Sequence, residues 1–184
     1  IVAGLKNGRL VEELLRNSQF HVIAVDEDPD LIGRLRRTFA NDERFRGRFQ
    51  ALAEAPSRIR LPPYIANLIV TEAPQKLKLA SESRLLNLYD SLRPYGGVMC
   101  LPKNENESEK LLGSVSPGKF AGVKTATSDR LITIRRTGPL PGSSIWSHES
   151  GDAARSFYSR DDLVQAPLAV LWYGDPGPTQ MINR

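Results

Sequence analysis

The apolar residues of this chain alternate between short compact runs and stretches with helical spacing. His21-Val22-Ile23-Ala24-Val25 is a β-branched run ending at Asp26, the pattern of a strand buried on both faces. Ile1-Val2-Ala3 reads as the tail of another strand. Arg48 to Leu52, Ile65 to Val70 and Gly97 to Leu101 read as three more. Between them, Gly8 to Asn17 carries Leu10, Val11, Leu14 and Leu15 at helical spacing, with Gly8 as a permissive start. Asp28-Pro29 opens a second helix, with proline in its first turn and Leu31, Ile32, Leu35 and Phe39 on one face. Ser81 to Leu92 reads as a third, with Ser81 as its N-cap. Glu105 to Leu112 reads as a short fourth. Ala121 to Thr127 and Arg130 to Arg136 flank Ser128-Asp129, which predicts an antiparallel hairpin.

Strand and helix alternate up to residue 112, so the expected fold is α/β: a doubly wound, mostly parallel sheet with helices on both faces, ending in an antiparallel hairpin. Sheets of this kind bind ligands beyond the carboxyl ends of their strands. Pro56, Pro62 and Pro63 make residues 56 to 63 a loop, and Pro62-Pro63-Tyr64 reads as a turn with an anchoring aromatic. From Gly138 the character changes. Gly138-Pro139-Leu140-Pro141-Gly142-Ser143-Ser144 is a breaker-rich linker. Residues 138–184 are too few and too interrupted to build a core of their own. Trp146, Trp172 and Tyr173 would then need a surface to cover them.

Composition narrows the function classes. The chain has 184 residues, enough for one domain with a real core and an appendage. No apolar run approaches the ~20 residues of a membrane-spanning helix. A single cysteine, Cys100, rules out an internal disulfide and a multi-cysteine metal site, and two histidines make a histidine-based zinc site improbable. The net charge is +4, with arginines at 34, 36, 37, 44, 46 and 48. Asp28, Asp30, Asp42 and Glu43 interleave with them, which fits a solvated face better than a nucleic-acid surface. The opening Ile1-Val2-Ala3-Gly4 has neither the basic nor the apolar region of a signal peptide. It looks like a strand already under way, so the chain is expected to be a piece of a longer protein.

Four places carry candidate chemistry. Gly4-Leu5-Lys6-Asn7-Gly8 lies between the first strand and the first helix, where glycines let the backbone approach a ligand and the helix start attracts an anionic group. Asp26 ends the next strand. A carboxylate there accepts hydrogen bonds from both hydroxyls of a ribose, or else merely caps the following helix. Glu54, in Ala53-Glu54-Ala55, would lie beside a nucleoside base, or is a solvent-exposed loop acid. Glu72, in Thr71-Glu72-Ala73-Pro74, falls where a reacting centre would lie and is the weak candidate for a catalytic base or substrate-orienting group.

Over residues 1–137 this pattern resembles the class I S-adenosylmethionine-dependent methyltransferases, whose domain is Rossmann-like. The resemblance is carried by the turn Gly4 to Gly8, Asp26-Glu27, Ala53-Glu54-Ala55, the run Asn67 to Glu72, Leu92-Arg93-Pro94-Tyr95-Gly96-Gly97 and the closing hairpin. It implies S-adenosylmethionine as a small-molecule cofactor held by Gly4, Lys6, Gly8, Asp26, Glu27 and Glu54. Three positions depart from the family pattern. Lys6 replaces the middle glycine, Val2 stands where an acid precedes the turn, and Asn67 replaces the acid that often opens the fourth strand. A lysine in the turn either crowds the methionine moiety or pairs with its carboxylate. Trp146-Ser147-His148, Gly151-Asp152-Ala153, Ser159 to Asp162 and Pro167 to Trp172 resemble the run-in to a quinoprotein-type β-propeller, implying such a propeller as an intramolecular partner in a longer multidomain protein. The implied function is methyl transfer to an acceptor the sequence does not name. The alternative is a degenerate, non-catalytic module partnering the propeller.

Overall fold

The computed structural model describes residues 1–40, 42–103, 111–116 and 118–163. Seven strands form one sheet: β1 (Val2–Ala3), β2 (Val22–Asp26), β3 (Phe49–Ala53), β4 (Leu68–Val70), β5 (Val98–Pro102), β6 (Val123–Thr127) and β7 (Leu131–Arg136), in the order β3-β2-β1-β4-β5-β7-β6. The first five are parallel, and β7 runs antiparallel to both β5 and β6. Strand order reverses beside β1, between β2 and β4. This is the switch point where the loops after neighbouring strands diverge and leave a crevice.

Local pattern explains how each element is placed. Along β1 and β2 successive side chains alternate faces. Val2, Val22 and Ala24 join one apolar cluster with Leu5, Val11 and Leu15, while Ala3 and Val25 join the other. Helix α1 (Arg9–Asn17) buries Val11 and Leu15, one turn apart. Helix α2 (Pro29–Ala40) buries Leu31, Ile32, Leu35 and Phe39 in the same cluster. At roughly 1.5–3 kcal/mol per fully buried large apolar side chain, that stripe outweighs the helix's polar outer face. Helix α3 (Glu82–Asp90) packs Leu85, Leu88 and Tyr89 against the opposite face with Ile69, Met99, Ile132 and Ile134. No helix among the described residues is long and apolar enough to cross a membrane.

Several expected boundaries shift. The third helix ends at Asp90 rather than Leu92, because Leu92 is fully buried and Ala66 bridges it in parallel. The fourth strand contracts to Leu68–Val70, with Ala66 outside it in that isolated bridge. Ser81 stands at the N-cap of α3, yet its hydroxyl pairs with Ser83 Oγ at 2.9 Å and caps nothing. Two 3₁₀ turns, Glu43–Phe45 and Pro74–Leu77, occupy segments given no structure from sequence. Phe45 packs edge-on to Phe39, ring centres 5.4 Å apart. The helix expected over 105–112 lies largely outside the described residues. Arg34, Arg36 and Arg37 are solvent-exposed, as their interleaved acids imply, and Arg36 also donates to the Ala51 carbonyl. Tyr64 does anchor its turn, since the Arg136 guanidinium lies 5.1 Å from its ring centre. Cys100 is half-buried, and burial pushes its thiol up, away from the reactive thiolate.

The chain divides into two units, Ile1–Leu140 and Pro141–Arg184. Within the described part of the second, 141–163, the one bridge joins His148 to Gly151, and Ile145, Trp146, Phe157 and Tyr158 are exposed. Trp172 and Tyr173 lie outside the described residues.

Candidate functional site

The carboxyl ends of β1, β2 and β4 converge on the turn Gly4 to Gly8. Gly4 has φ +80° and donates to the Val25 carbonyl, while its own carbonyl takes the Glu72 and Ala73 N–H groups at 3.0 and 3.1 Å. A Cβ there would stand 2.9 Å from the Ala73 carbonyl oxygen, so the strand ends approach too closely for any side chain. Gly8 has φ +84°, and a Cβ on it would meet Leu35 Cδ2 at 2.9 Å. Gly4 is therefore required by packing against backbone, and Gly8 by its left-handed φ, since the Leu35 side chain could yield.

Asp26 ends β2 with a fully buried side chain. Its Oδ2 accepts the Leu5 N–H at 2.7 Å, its Oδ1 the Asp28 N–H at 3.0 Å, and the Lys76 ammonium reaches the two oxygens at 2.9 and 2.8 Å. Burial pushes the carboxyl up, but the Lys76 ammonium and the two N–H donors outweigh it and hold the group below the usual carboxylate range. Asp26 is not the cap of α2. That role belongs to Asp28, whose Oδ1 accepts from Asp30 and Leu31. Glu27 and Glu54 are exposed on either side. The Glu54 backbone is tied to the Asp26 carbonyl at 2.9 Å. Lys6 is exposed.

Glu72, the candidate base or substrate-orienting group, turns towards the start of α1. Its Oε2 accepts the N–H groups of Lys6, Asn7 and Gly8 at 2.7, 3.1 and 3.0 Å, and its Oε1 that of Leu10 at 2.6 Å. These are free donors at the start of α1, where the helix dipole also favours an anion. Burial raises the carboxyl, and the four donors more than compensate, leaving it below its ordinary value. A carboxylate stabilised in this way is a weaker proton acceptor than a free one. Sequence reasoning missed Lys76 altogether. The available signal was Ala73-Pro74: a proline starting a short turn brings residues 72 and 76 back over the strand ends.

The donor set suits a nucleoside with an amino-acid end, offering a buried carboxylate for a diol and a row of N–H groups for a carboxylate. In the structure, side chains of the chain itself hold both. As it stands the crevice does not fit S-adenosylmethionine until Glu72 and Lys76 release those atoms.

No protein-family model and no curated protein matches the chain. Solved structures do. A candidate S-adenosyl-L-methionine-dependent methyltransferase of Methanococcus maripaludis superimposes with TM-score 0.59 at 14% identity, over 76% of this chain and 80% of that one. The Burkholderia thailandensis 1,6-didemethyltoxoflavin-N1-methyltransferase, solved with 1,6-didemethyltoxoflavin and S-adenosylhomocysteine bound, gives 0.51 at 17%, over 74% and 70%. The [4+2]-cyclase SpnF gives 0.50 at 12%, over 68% and 52%. The domain thus has the fold of the class I S-adenosylmethionine-dependent methyltransferases. That SpnF shares it shows how little the fold alone says about the reaction.

Proposed function

We propose that residues 1–137 form a methyltransferase-type domain that binds S-adenosylmethionine at the switch point and serves methyl transfer. The observation that carries this reading is Asp26: a buried carboxylate at the carboxyl end of β2, one strand from the glycine turn, inside a sheet of this order. Asp26 would take the ribose hydroxyls, the Gly4–Lys6–Gly8 turn the methionine end, and Glu27 and Glu54 the nucleoside's flanks. The cofactor supplies an already activated methyl group, so the chain's task is to position an acceptor and exclude water. Calorimetric titration of the full chain with S-adenosylmethionine and S-adenosylhomocysteine tests it. Saturable one-to-one binding, weakened by roughly 1–3 kcal/mol in Asp26→Asn, supports it, on the scale of a charge-assisted hydrogen bond lost. Absence of binding by the folded chain and by its folded Lys76→Gln and Glu72→Gln variants discards it.

A second reading is favoured by a specific observation: both carboxylate oxygens of Asp26 and the N–H groups of Lys6, Asn7, Gly8 and Leu10 already have partners within the chain. On this reading the domain is a non-catalytic module beside a quinoprotein-type β-propeller, and the exposed Trp146, Phe157 and Tyr158 belong to the segment that resembles the propeller's run-in.

A further inference from the structure

We propose that Glu72 and Lys76 are built-in stand-ins for the two ends of the nucleoside ligand, and that S-adenosylmethionine enters the crevice only by displacing both. The inference rests on the methyltransferase-type reading of the site and adds how access to it is controlled.

The chemistry matches at each end. An amino-acid ligand presents a carboxylate to the start of α1, and Glu72 presents one already, bound by the four N–H groups of Lys6, Asn7, Gly8 and Leu10. A ribose presents two adjacent hydroxyls to a carboxylate. Lys76 presents ammonium protons to both oxygens of Asp26. A ligand that claims either set must return at least as many hydrogen bonds as it removes, since a buried group left unpaired is costly.

The two stand-ins are mechanically distinct from their support. Thr71 Oγ1 donates to the Gly4 carbonyl, Ala73 N–H is held by Gly4 and Thr71, and Leu77 is fully buried, so the backbone of this segment is fixed to the core. Only the side chains have freedom. That of Lys76 is 27% exposed and swings into water without disturbing Asp26's other donors. That of Glu72 is half-buried and leaves by rotation about its own bonds. Displacement is therefore a pair of side-chain movements, one at each end of the crevice, and the two ends are separable by ligand.

Adenosine, which has the diol and no amino-acid end, probes Lys76 alone. S-adenosylhomocysteine probes both. Calorimetry on the full chain should show weak binding of either by the parent. Lys76→Gln should tighten adenosine and S-adenosylhomocysteine at least tenfold. Glu72→Gln should tighten S-adenosylhomocysteine and leave adenosine unchanged. Amide exchange gives a readout that does not need a ligand: in the parent the amides of Lys6, Asn7, Gly8 and Leu10 are protected, and Glu72→Gln exposes those four ahead of the sheet. Lys76→Gln leaves the turn's donors in place, so the adenosine arm stands even if Glu72→Gln fails to fold. Parent affinity equal to or above that of folded variants overturns the displacement and leaves the methyltransferase-type reading standing. No binding of either ligand by parent or folded variants overturns both.

Discussion

The ammonium of Lys76 lies 2.8 and 2.9 Å from the two carboxylate oxygens of Asp26, whose side chain is wholly buried while that of Lys76 is 27% exposed. This asymmetry sets the cost of breaking the pair. Removing one member of a buried pair costs about 3–5 kcal/mol because the other is left uncompensated. After Asp26→Asn the lysine still reaches water, so the loss should fall below that range, at about 2 kcal/mol. After Lys76→Met the carboxylate stays buried with only Leu5 and Asp28 as donors, and the loss should be larger. Urea unfolding of both variants checks the order. Equal losses would mean that the carboxylate is hydrated in solution.

Acid should weaken the domain through the same crevice. Asp26 and Glu72 both titrate below their ordinary values in the folded chain. A depressed folded pKa means that the stabilisation is present above the unfolded value, at about 3.9 for Asp and 4.3 for Glu, and is lost as pH falls through the lower folded one. The unfolding midpoint should therefore hold near neutrality and fall once pH drops through about 4. Glu72→Gln should flatten that fall. An unchanged acid limb in Glu72→Gln would mean that its four N–H contacts do not persist in solution.

Two glycines in the closing half of the sheet should respond very differently to alanine. Gly122 has φ +71°, and a Cβ on it would stand 2.0 Å from the Thr137 carbonyl oxygen. Gly96 has φ +131° and open space around it. Gly122→Ala should cost roughly 2–3 kcal/mol by forcing the hairpin's end apart, and Gly96→Ala about 1 kcal/mol from backbone strain alone. Thermal unfolding of the two variants distinguishes them. A mild effect at Gly122 would show that β6 pairs with β7 more loosely than drawn.

The arginines of α2 should not bind nucleic acid as a dedicated surface. Arg36 is engaged with the Ala51 carbonyl, at 2.5 Å from Nη2, so Arg36→Ala should lower stability by about 1 kcal/mol, the worth of one such bond. Fluorescence anisotropy with RNA and duplex DNA at rising salt should show no micromolar binding that Arg36→Ala and Arg37→Ala abolish. Finding such binding would restore the nucleic-acid reading.

Much of this architecture was legible in the sequence, because the signals that specify it are local. The run Val22 to Val25 and the spacing of Leu31, Ile32, Leu35 and Phe39 report periods of two and about 3.6 residues, which any short window contains. Glycine and proline marked the turns, and Asp26 was placed at the end of the second strand, where it lies. Tertiary structure alone decided what that carboxylate and the glycine turn would hold. Lys76 meets Asp26 across 50 residues of sequence, and Glu72 meets Lys6 across 66. Neither meeting leaves a trace in spacing, since the partners come together only when β4 inserts beside β1. The end of α3 moved too: Leu92, apolar enough to continue the helix, is instead fully buried and bridged in parallel by Ala66. A sequence window reports how a residue is distributed between water and core. Which charge satisfies a buried charge is settled by the geometry of closure, where any unpaired group left in the crevice would have to find the nearest partner the fold supplies.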